Sequence, residues 1–268
     1  MTAAIKFSSP ATREFWEIPV LFEDEHLLAL DKPADLLTSP DADNLERPSL
    51  MKLLHAGIAD KKSWATERGL EYLNAANQPD SDADGVILLA KDKSSFMALA
   101  NSVSAGKVRL KYLALVHGEP PESQFEVNAK LSPHPVKPGV MHVDPRGKQA
   151  TTRFAVLENF SRHGYALLQG EPLVERTHQV RVHANHAGLK IVGDGLYGGK
   201  PLWLSRLKKD YRLKPGREER PLISRVALHL EEVTLPHPVT NETVNIKSEW
   251  PKDLKVTVKY LRQYSVAG

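Results

Sequence analysis

The 268-residue chain contains no cysteine, which excludes disulfide bonds, thiolate catalysis and cysteine-based zinc sites. It also lacks an apolar run long enough to cross a membrane, and its first residues lack the apolar core of a secretory signal. We therefore expect a cytoplasmic protein with no membrane partner. Hydrophobic residues make up 41% of the chain and charged residues 26%, a balance typical of a soluble globular protein.

The chain carries little net charge, and +3 is too small to indicate a nucleic-acid partner by itself. The charge is unevenly distributed, however. Residues 200–225 contain nine basic and three acidic residues, a net charge of +6, whereas the rest of the chain is at −3. Trp203 and Tyr211 interleave with these bases and could stack on nucleotides, which favours contact with RNA. A solvated basic loop is the alternative.

Hydrophobic periodicity predicts a fold with more strands than helices and no regular alternation of the two. Two short apolar runs around an acidic turn predict a hairpin over residues 20–31. Helical spacing predicts helices over 50–58 and over 94–104, the second with Phe96, Leu99, Ala100 and Val103 facing inward. Further strands are expected at 85–90, 108–116, 152–157, 165–169, 226–235 and 244–246. This pattern indicates an α+β protein with a mixed, mostly antiparallel sheet and flanking helices, and residues 1–18 read as an irregular arm.

Polar side chains are concentrated in residues 174–199, which read VERTHQVRVHANHAGLKIVGDGLYGG. Thr177 can cap a helix there and Gly188 can end it, which places His178, Arg181 and Asn185 on one face. A solvated polar helix face is the alternative. The histidines at 178, 183 and 186 suit zinc chemically and suggest a metal-dependent hydrolase as another hypothesis. The spacing fits poorly, because residues five apart on a helix point about 140° away from each other.

The same segment carries a long ordered motif. Residues 176–183 read RTHQVRVH and residues 191–198 read IVGDGLYG. Together they resemble the C-terminal signature of the RluA-like pseudouridine synthases. The chain departs from that signature at Glu175, where the family usually has glycine.

Three further segments resemble the family in the expected order. Residues 20–40 resemble its opening box, a hairpin followed by Lys32-Pro33. Residues 77–91, NQPDSDADGVILLAK, resemble its catalytic box, and residues 111–118 resemble the element that follows. The resemblance thus extends over roughly residues 20–240. It implies the pseudouridine synthase fold with an active-site cleft.

The resemblance also implies a mechanism. It places the catalytic aspartate at Asp80, the active-site tyrosine at Tyr112, and the arginine that pairs with Asp80 at Arg181. Asp80 would attack the sugar or remove a sugar proton while the target uridine is flipped into the cleft. The freed uracil would then rejoin the sugar through carbon 5, with Tyr112 stacked on the base. No cofactor and no metal are implied. Without the resemblance, Asp80 reads as part of an ordinary acidic turn.

The catalytic box departs from the family where His-Arg-Leu is replaced by Asn77-Gln78-Pro79 and Thr-Ser by Ala83-Asp84. The family arginine helps to hold the target nucleotide, and Gln78 lacks its charge. We still expect RNA contacts from Gln78, together with His178, Gln179, Lys208, Lys209 and Arg212.

The expected organisation is an arm at 1–18 and a catalytic domain at 19–268, without the S4 RNA-binding domain that is frequent in the family. The expected function is an RNA pseudouridine synthase, an isomerase, acting as a monomer on ribosomal or transfer RNA. A non-catalytic RNA-binding protein on the same fold is the alternative, because the catalytic box is altered.

Overall fold

A computed structural model describes residues 4–9, 12–41, 43–44, 46–214 and 216–265. The strands in chain order are β1 (Ala4–Ser8), β2 (Phe15–Glu23), β3 (Leu27–Lys32), β4 (Asn74–Ala75), β5 (Asp84–Ala90), β6 (Arg109–His117), β7 (Gln124–Asn128), β8 (Leu131–Pro133), β9 (Met141–Val143), β10 (Thr151–Phe160), β11 (Tyr165–Pro172), β12 (Lys190–Ile191), β13 (Leu228–Pro236) and β14 (Thr243–Lys247). The helices are α1 (Leu50–Ala59), α2 (Ser63–Thr66), α3 (Lys93–Ser104), α4 (Gln179–His186), α5 (Leu204–Leu207) and α6 (Lys252–Ser265). Across the described ranges, no helix combines the length and the apolar character that crossing a membrane requires.

The chain forms two compact units. The first comprises the described residues of 1–110 and 230–248, and the second those of 111–229 and 249–268. The expected boundary between an arm at 1–18 and a domain at 19–268 stays a prediction.

In the first unit, β1, β2, β3 and β5 are antiparallel neighbours in that order. All seven residues of β5 are buried. Helix α1 begins after Ser49, whose side chain accepts a hydrogen bond from the Lys52 amide. It packs Leu50 and Leu54 into a core that β1, β2, β3 and β5 share. The hairpin over 20–31 and the helix over 50–58 are therefore confirmed.

The irregular conformation expected for residues 1–18 is wrong where that segment is described. Ile5 in β1 pairs with Ile18 in β2, and both side chains are fully buried in the core of the first unit. The alternation of buried and exposed residues in β1 spans only five positions, which is too short to stand out in the sequence.

Helix α3 confirms the predicted element but not its predicted inner face. Asp92 caps its N-terminus by accepting from the Ser95 amide at 2.8 Å, and hydrogen bonds from Ser94 and Ser95 lower the pKa of Asp92. Only Ser95 and Leu99 are buried, whereas Ala100 and Val103 are exposed. Because the helix packs through one narrow stripe, fewer of its apolar residues are covered than the spacing suggested.

In the second unit, β6, β11, β10 and β7 are antiparallel neighbours, and β12 pairs with the other edge of β6. Helix α4 packs closely on β11 at Gly170, where a Cβ atom would lie 3.2 Å from both Phe154 and Val180. Helix α6 buries Leu254, Val258 and Leu261, which recur at helical spacing. The expected α+β class with a mostly antiparallel sheet is confirmed.

Candidate active site

Asp80 lies in the first unit, in the loop between β4 and β5, and is partly buried. Hydrogen bonds fix the backbone on both sides of it. The Thr38 hydroxyl donates to the Pro79 carbonyl at 3.0 Å, and the Asp35 amide donates to the Ser81 carbonyl at 2.8 Å. The loop that follows β3 therefore holds the Asp80 backbone in one position.

Lys32 belongs to the Lys-Pro pair of the opening box and was not predicted to contact the Asp80 loop. It ends β3 with 0% exposure, and its ammonium group donates to the carbonyls of Pro33 at 2.9 Å, Leu36 at 2.8 Å and Ser81 at 3.3 Å. Burial lowers the pKa of Lys32 to about 8, although four nearby carboxylates act in the opposite direction: Asp84, Asp80, Asp35 and Asp82. Lys32 thus ties the opening box to the Asp80 loop. A lysine closing the apolar run LLALDK was the available signal.

Asn77 and Gln78, which replace family residues before Asp80, lie in different environments. Asn77 is buried, and its side chain both donates to the Val86 carbonyl at 3.2 Å and accepts from the Leu88 amide at 2.8 Å. It therefore extends the backbone pairing of β5. Gln78 is exposed, and its carbonyl oxygen accepts a hydrogen bond from the Ser39 hydroxyl at 2.9 Å. The Gln78 side chain is accessible to a ligand.

Arg181 lies in the second unit, on α4, with 1% exposure. Its guanidinium group makes two hydrogen bonds of 2.8 Å to the carboxylate of Asp194, which is fully buried. The two charges neutralise each other, and this pairing offsets part of the cost of burying them. Asp194 was not predicted as a site residue, although it lies within the GDGLYG motif. Its neighbour Gly193 has a φ of +77°, and a Cβ atom there would lie 2.1 Å from the Arg225 carbonyl, so only glycine fits.

His178 precedes α4 in the left-handed region, with φ at +55°. Its Nδ1 lies 2.7 Å from the Tyr197 hydroxyl, which also accepts from the Met141 amide at 3.0 Å. The guanidinium carbon of Arg181 lies 5.1 Å from the centre of the Tyr197 ring. Thr177 was expected to cap the helix, and this is wrong because the helix begins one residue later, after His178. The prediction that Gly188 follows the helix in a left-handed conformation is confirmed, with φ at +80°.

The alternative reading of α4 as a solvated polar helix does not hold, because Gln179 and His183, like Arg181, are buried. Gln179 is 2% exposed and donates to the Thr151 carbonyl at 2.9 Å and the Thr152 hydroxyl at 3.0 Å. We therefore assign Gln179 a structural role in place of the RNA contact expected from the sequence. His183 is fully buried between the Thr152 hydroxyl, 2.8 Å from Nδ1, and the Ala129 carbonyl, 3.0 Å from Nε2.

His183 is poorly suited to bind a metal. The Ala129 carbonyl can only accept, so Nε2 carries the ring proton and Nδ1 accepts from Thr152. Burial lowers the pKa of His183, which favours this neutral form. Within the described ranges, no group of three histidine or carboxylate side chains is arranged to hold a metal ion.

Tyr112 lies on β6 and is 5% exposed. Its hydroxyl group donates a hydrogen bond to the carboxylate of Glu175 at 2.6 Å. Glu175 is the residue that replaces a family glycine, so this departure supplies the tyrosine with a charged acceptor.

The remaining predicted RNA contacts are Lys208, Lys209 and Arg212. All three are exposed, in the segment after α5 of the second unit. Their side chains are accessible to a polyanion, and their role stays a prediction.

Comparison with known proteins gives one consistent answer. A family model described as RNA pseudouridylate synthase matches residues 26–186. The ribosomal large subunit pseudouridine synthase D of Xylella fastidiosa is 34% identical over 248 residues, which cover 92% of this chain and 70% of that protein. The protein of the same name from Xanthomonas campestris is 33% identical over 246 residues, again 92% and 70%.

A solved structure agrees on the fold. Human RNA pseudouridylate synthase domain containing 4 superimposes with a TM-score of 0.67 at 20% identity, covering 91% of this chain and 92% of the human one. The range matched by the family model includes the segments at 77–91, 111–118 and 176–183 on which the resemblance rested. The chain belongs to the RNA pseudouridylate synthase family.

Proposed function

We propose that the protein isomerises a specific uridine to pseudouridine in the RNA of the large ribosomal subunit. The supporting observation is the match of the family model over residues 26–186, a range that includes Asp80, Tyr112 and Arg181. Relatives that share about a third of their residues with this chain are named for the large ribosomal subunit. Transfer RNA is the other substrate class that the sequence suggested.

The proposed reaction breaks the bond between N1 of uracil and C1′ of the ribose and forms a bond from C5 to C1′. The proton on C5 is lost and N1 gains one, so no electrons are exchanged with a cofactor. Asp80 assists the first step, by attack on the sugar or by removal of a sugar proton. Tyr112 stacks on the base and relays the C5 proton, and Arg181 takes the role of the family arginine, as the resemblance implies. We propose that the protein acts in the cytoplasm, as a monomer without a metal.

Structural surroundings support two of these roles. The backbone on each side of Asp80 is fixed by hydrogen bonds, as a reacting carboxylate requires. Arg181 is held rigidly by its two bonds to Asp194.

The experiment compares purified wild type with two loop variants, Asp80→Asn and Asp82→Asn, on transcripts of host ribosomal and transfer RNA. Asp80→Asn should abolish pseudouridine formation, because an amide can neither attack the sugar nor accept its proton. Asp82→Asn removes the same charge from the same loop and should retain activity. Turnover by Asp80→Asn would contradict the assigned role.

Mapping pseudouridine in the host RNA with and without the gene identifies the substrate. A site lost only from transfer RNA would overturn the ribosomal assignment. Binding without turnover on every host RNA would favour the non-catalytic alternative.

A further inference from the structure

The second unit contains a cavity of about 650 Å³ that none of the proposed catalytic residues lines. Its walls come from the C-terminal end of β6, the start of β11, strand β12 and the segment at residues 198–207. The volume is within the range of about 300–1,000 Å³ that is usual for small-molecule sites.

The floor of this cavity is a row of side chains across three strands. His117 on β6 is paired with Tyr165 on β11 and with Lys190 on β12. Directly paired residues of antiparallel strands project to the same face of the sheet. The rings of His117 and Tyr165 are in edge contact, with centroids 5.2 Å apart. The sheet therefore places an imidazole, a phenol and an ammonium group side by side.

The cavity is strongly positive. Four of its lining residues are always cationic at neutral pH: Arg162, Lys190, Lys200 and Arg206. No lining residue is a carboxylate, and within the described part of the chain Lys190, Lys200 and Arg206 form no ion pair. Cations left uncompensated in a concave wall attract phosphate and release its counterions on binding.

Two aromatic side chains complete the wall. Trp203 and Tyr165 are both half-buried, so each is supported by the protein and still presents a surface to the cavity. Burial raises the pKa of Tyr165, although the nearby Arg206 opposes this, and the phenol stays uncharged at neutral pH. Neutral aromatic faces stack on nucleobases whatever the sequence. Cations alone would suit any polyanion, whereas cations with stacking surfaces suit a nucleotide.

The cavity is distinct from the surroundings of Tyr112. His117 lies five residues after Tyr112 on β6, which at 3.4 Å per residue corresponds to roughly 17 Å. A nucleotide in the cavity is therefore not the uridine on which Tyr112 is proposed to stack.

We propose that this cavity binds an unstacked nucleotide of the substrate RNA at a distance from the target uridine, with its base on Trp203 and its phosphate at Arg206, Lys190 and Lys200. The identity of the ligand as substrate RNA rests on the proposed function. The cavity gives the enzyme an additional binding site for the RNA. Gln78 carries no positive charge and cannot bind a phosphate in this way.

The test measures binding of a single-stranded fragment of host ribosomal RNA by fluorescence anisotropy at several salt concentrations. Trp203→Ala should weaken binding about fivefold or more without changing the slope of log affinity against log salt. Trp203→Phe keeps a stacking ring and should retain most of the affinity. Arg206→Gln should weaken binding and reduce that slope by roughly 0.7. Lys259→Gln, which removes one exposed charge from α6 outside the cavity, is the matched control and should alter the affinity least.

Each result decides between the proposals. Equal affinities of Trp203→Ala, Arg206→Gln and Lys259→Gln would overturn the cavity site, even if the wild type forms pseudouridine. Displacement of the RNA by poly-glutamate as readily as by oligouridylate would show a general polyanion site and would also overturn it. If the cavity variants lose RNA affinity but the wild type forms no pseudouridine, the cavity site stands and the proposed function fails. Melting temperatures show whether each variant is folded, and Trp203→Phe keeps the test valid if Trp203→Ala is not.

Discussion

The hydroxyl group of Tyr112 donates a 2.6 Å hydrogen bond to the carboxylate of Glu175, 63 residues further along the chain. The glycine usual in the family could not make this contact. In this protein, a proton arriving at the phenol oxygen from C5 can be balanced by transfer of the phenol proton to Glu175. We therefore predict that Glu175 is a positioning residue that acts on substrate through Tyr112.

Replacing Glu175 with Gln should lower kcat about tenfold with little change in KM, because a charge-assisted bond contributes about 1.5–3 kcal/mol. Deuterium at C5 of the target uridine should slow Glu175→Gln more than the wild type. Glu175→Asp keeps the charge and should recover part of the rate. An unchanged kcat and isotope effect in Glu175→Gln would leave Glu175 with a packing role only.

Replacing Arg181 with Met should lower the free energy of unfolding by about 3–5 kcal/mol, because it leaves Asp194 as a buried charge. Adding Asp194→Asn should recover part of this loss. Arg262→Met removes a similar bidentate pair with Glu158, but one that is largely exposed, and should cost less than about 1 kcal/mol. Urea unfolding measures all four proteins.

The proposed pairing of Arg181 with Asp80 is tested by a second double-mutant cycle. Asp80→Asn combined with Arg181→Met should be less destabilised than the sum of the two single changes. Strictly additive unfolding energies would argue against any interaction between these residues.

Lys32 should make stability depend on pH in the alkaline range. Its pKa is about 8 in the folded protein against 10.5 for an ordinary lysine, so the unfolded chain binds more protons between these values. The contribution of Lys32 to the free energy of unfolding therefore rises with pH from about 8 to about 10.5, by up to roughly 3 kcal/mol.

Urea unfolding of the wild type and of Lys32→Met at pH 7.5, 9 and 10.5 measures this effect. The stability of the wild type relative to Lys32→Met should rise with pH, while the other titrating groups cancel. A constant difference across these three pH values would show that Lys32 titrates as an exposed lysine does.

Gln78 should restrict the substrate to uridines that are already unpaired, since flipping such a base avoids most of the unstacking cost. The wild type should convert a uridine in a loop but not the same uridine in a stable duplex. Gln78→Arg should increase the rate on the duplex more than on the loop, whereas the uncharged Gln78→Met should not. Equal wild-type rates on the two RNAs would contradict this explanation.

The sequence by itself determined the family and most of the elements. The apolar run at 85–90 in β5 and the helical spacing of α1 are local sequence patterns, and both elements formed where the pattern predicted. The ordered motifs around Asp80, Tyr112 and Arg181 identified the family, which the family match then confirmed.

Only the tertiary structure decided which polar residues support one another. Residue type alone did not distinguish Asp194 from the other aspartates, and the fold places it against Arg181. Gln179 and His183 follow the spacing of a solvated helix, yet β10 covers them. The sequence showed only that Glu175 departs from the family glycine, and the structure places the Tyr112 hydroxyl of β6 beside it. Periodicity indicates the type of an element and the face that it buries. It does not indicate the partner of a polar residue, because these partners are distant in sequence. Only the packing of the folded chain brings them together.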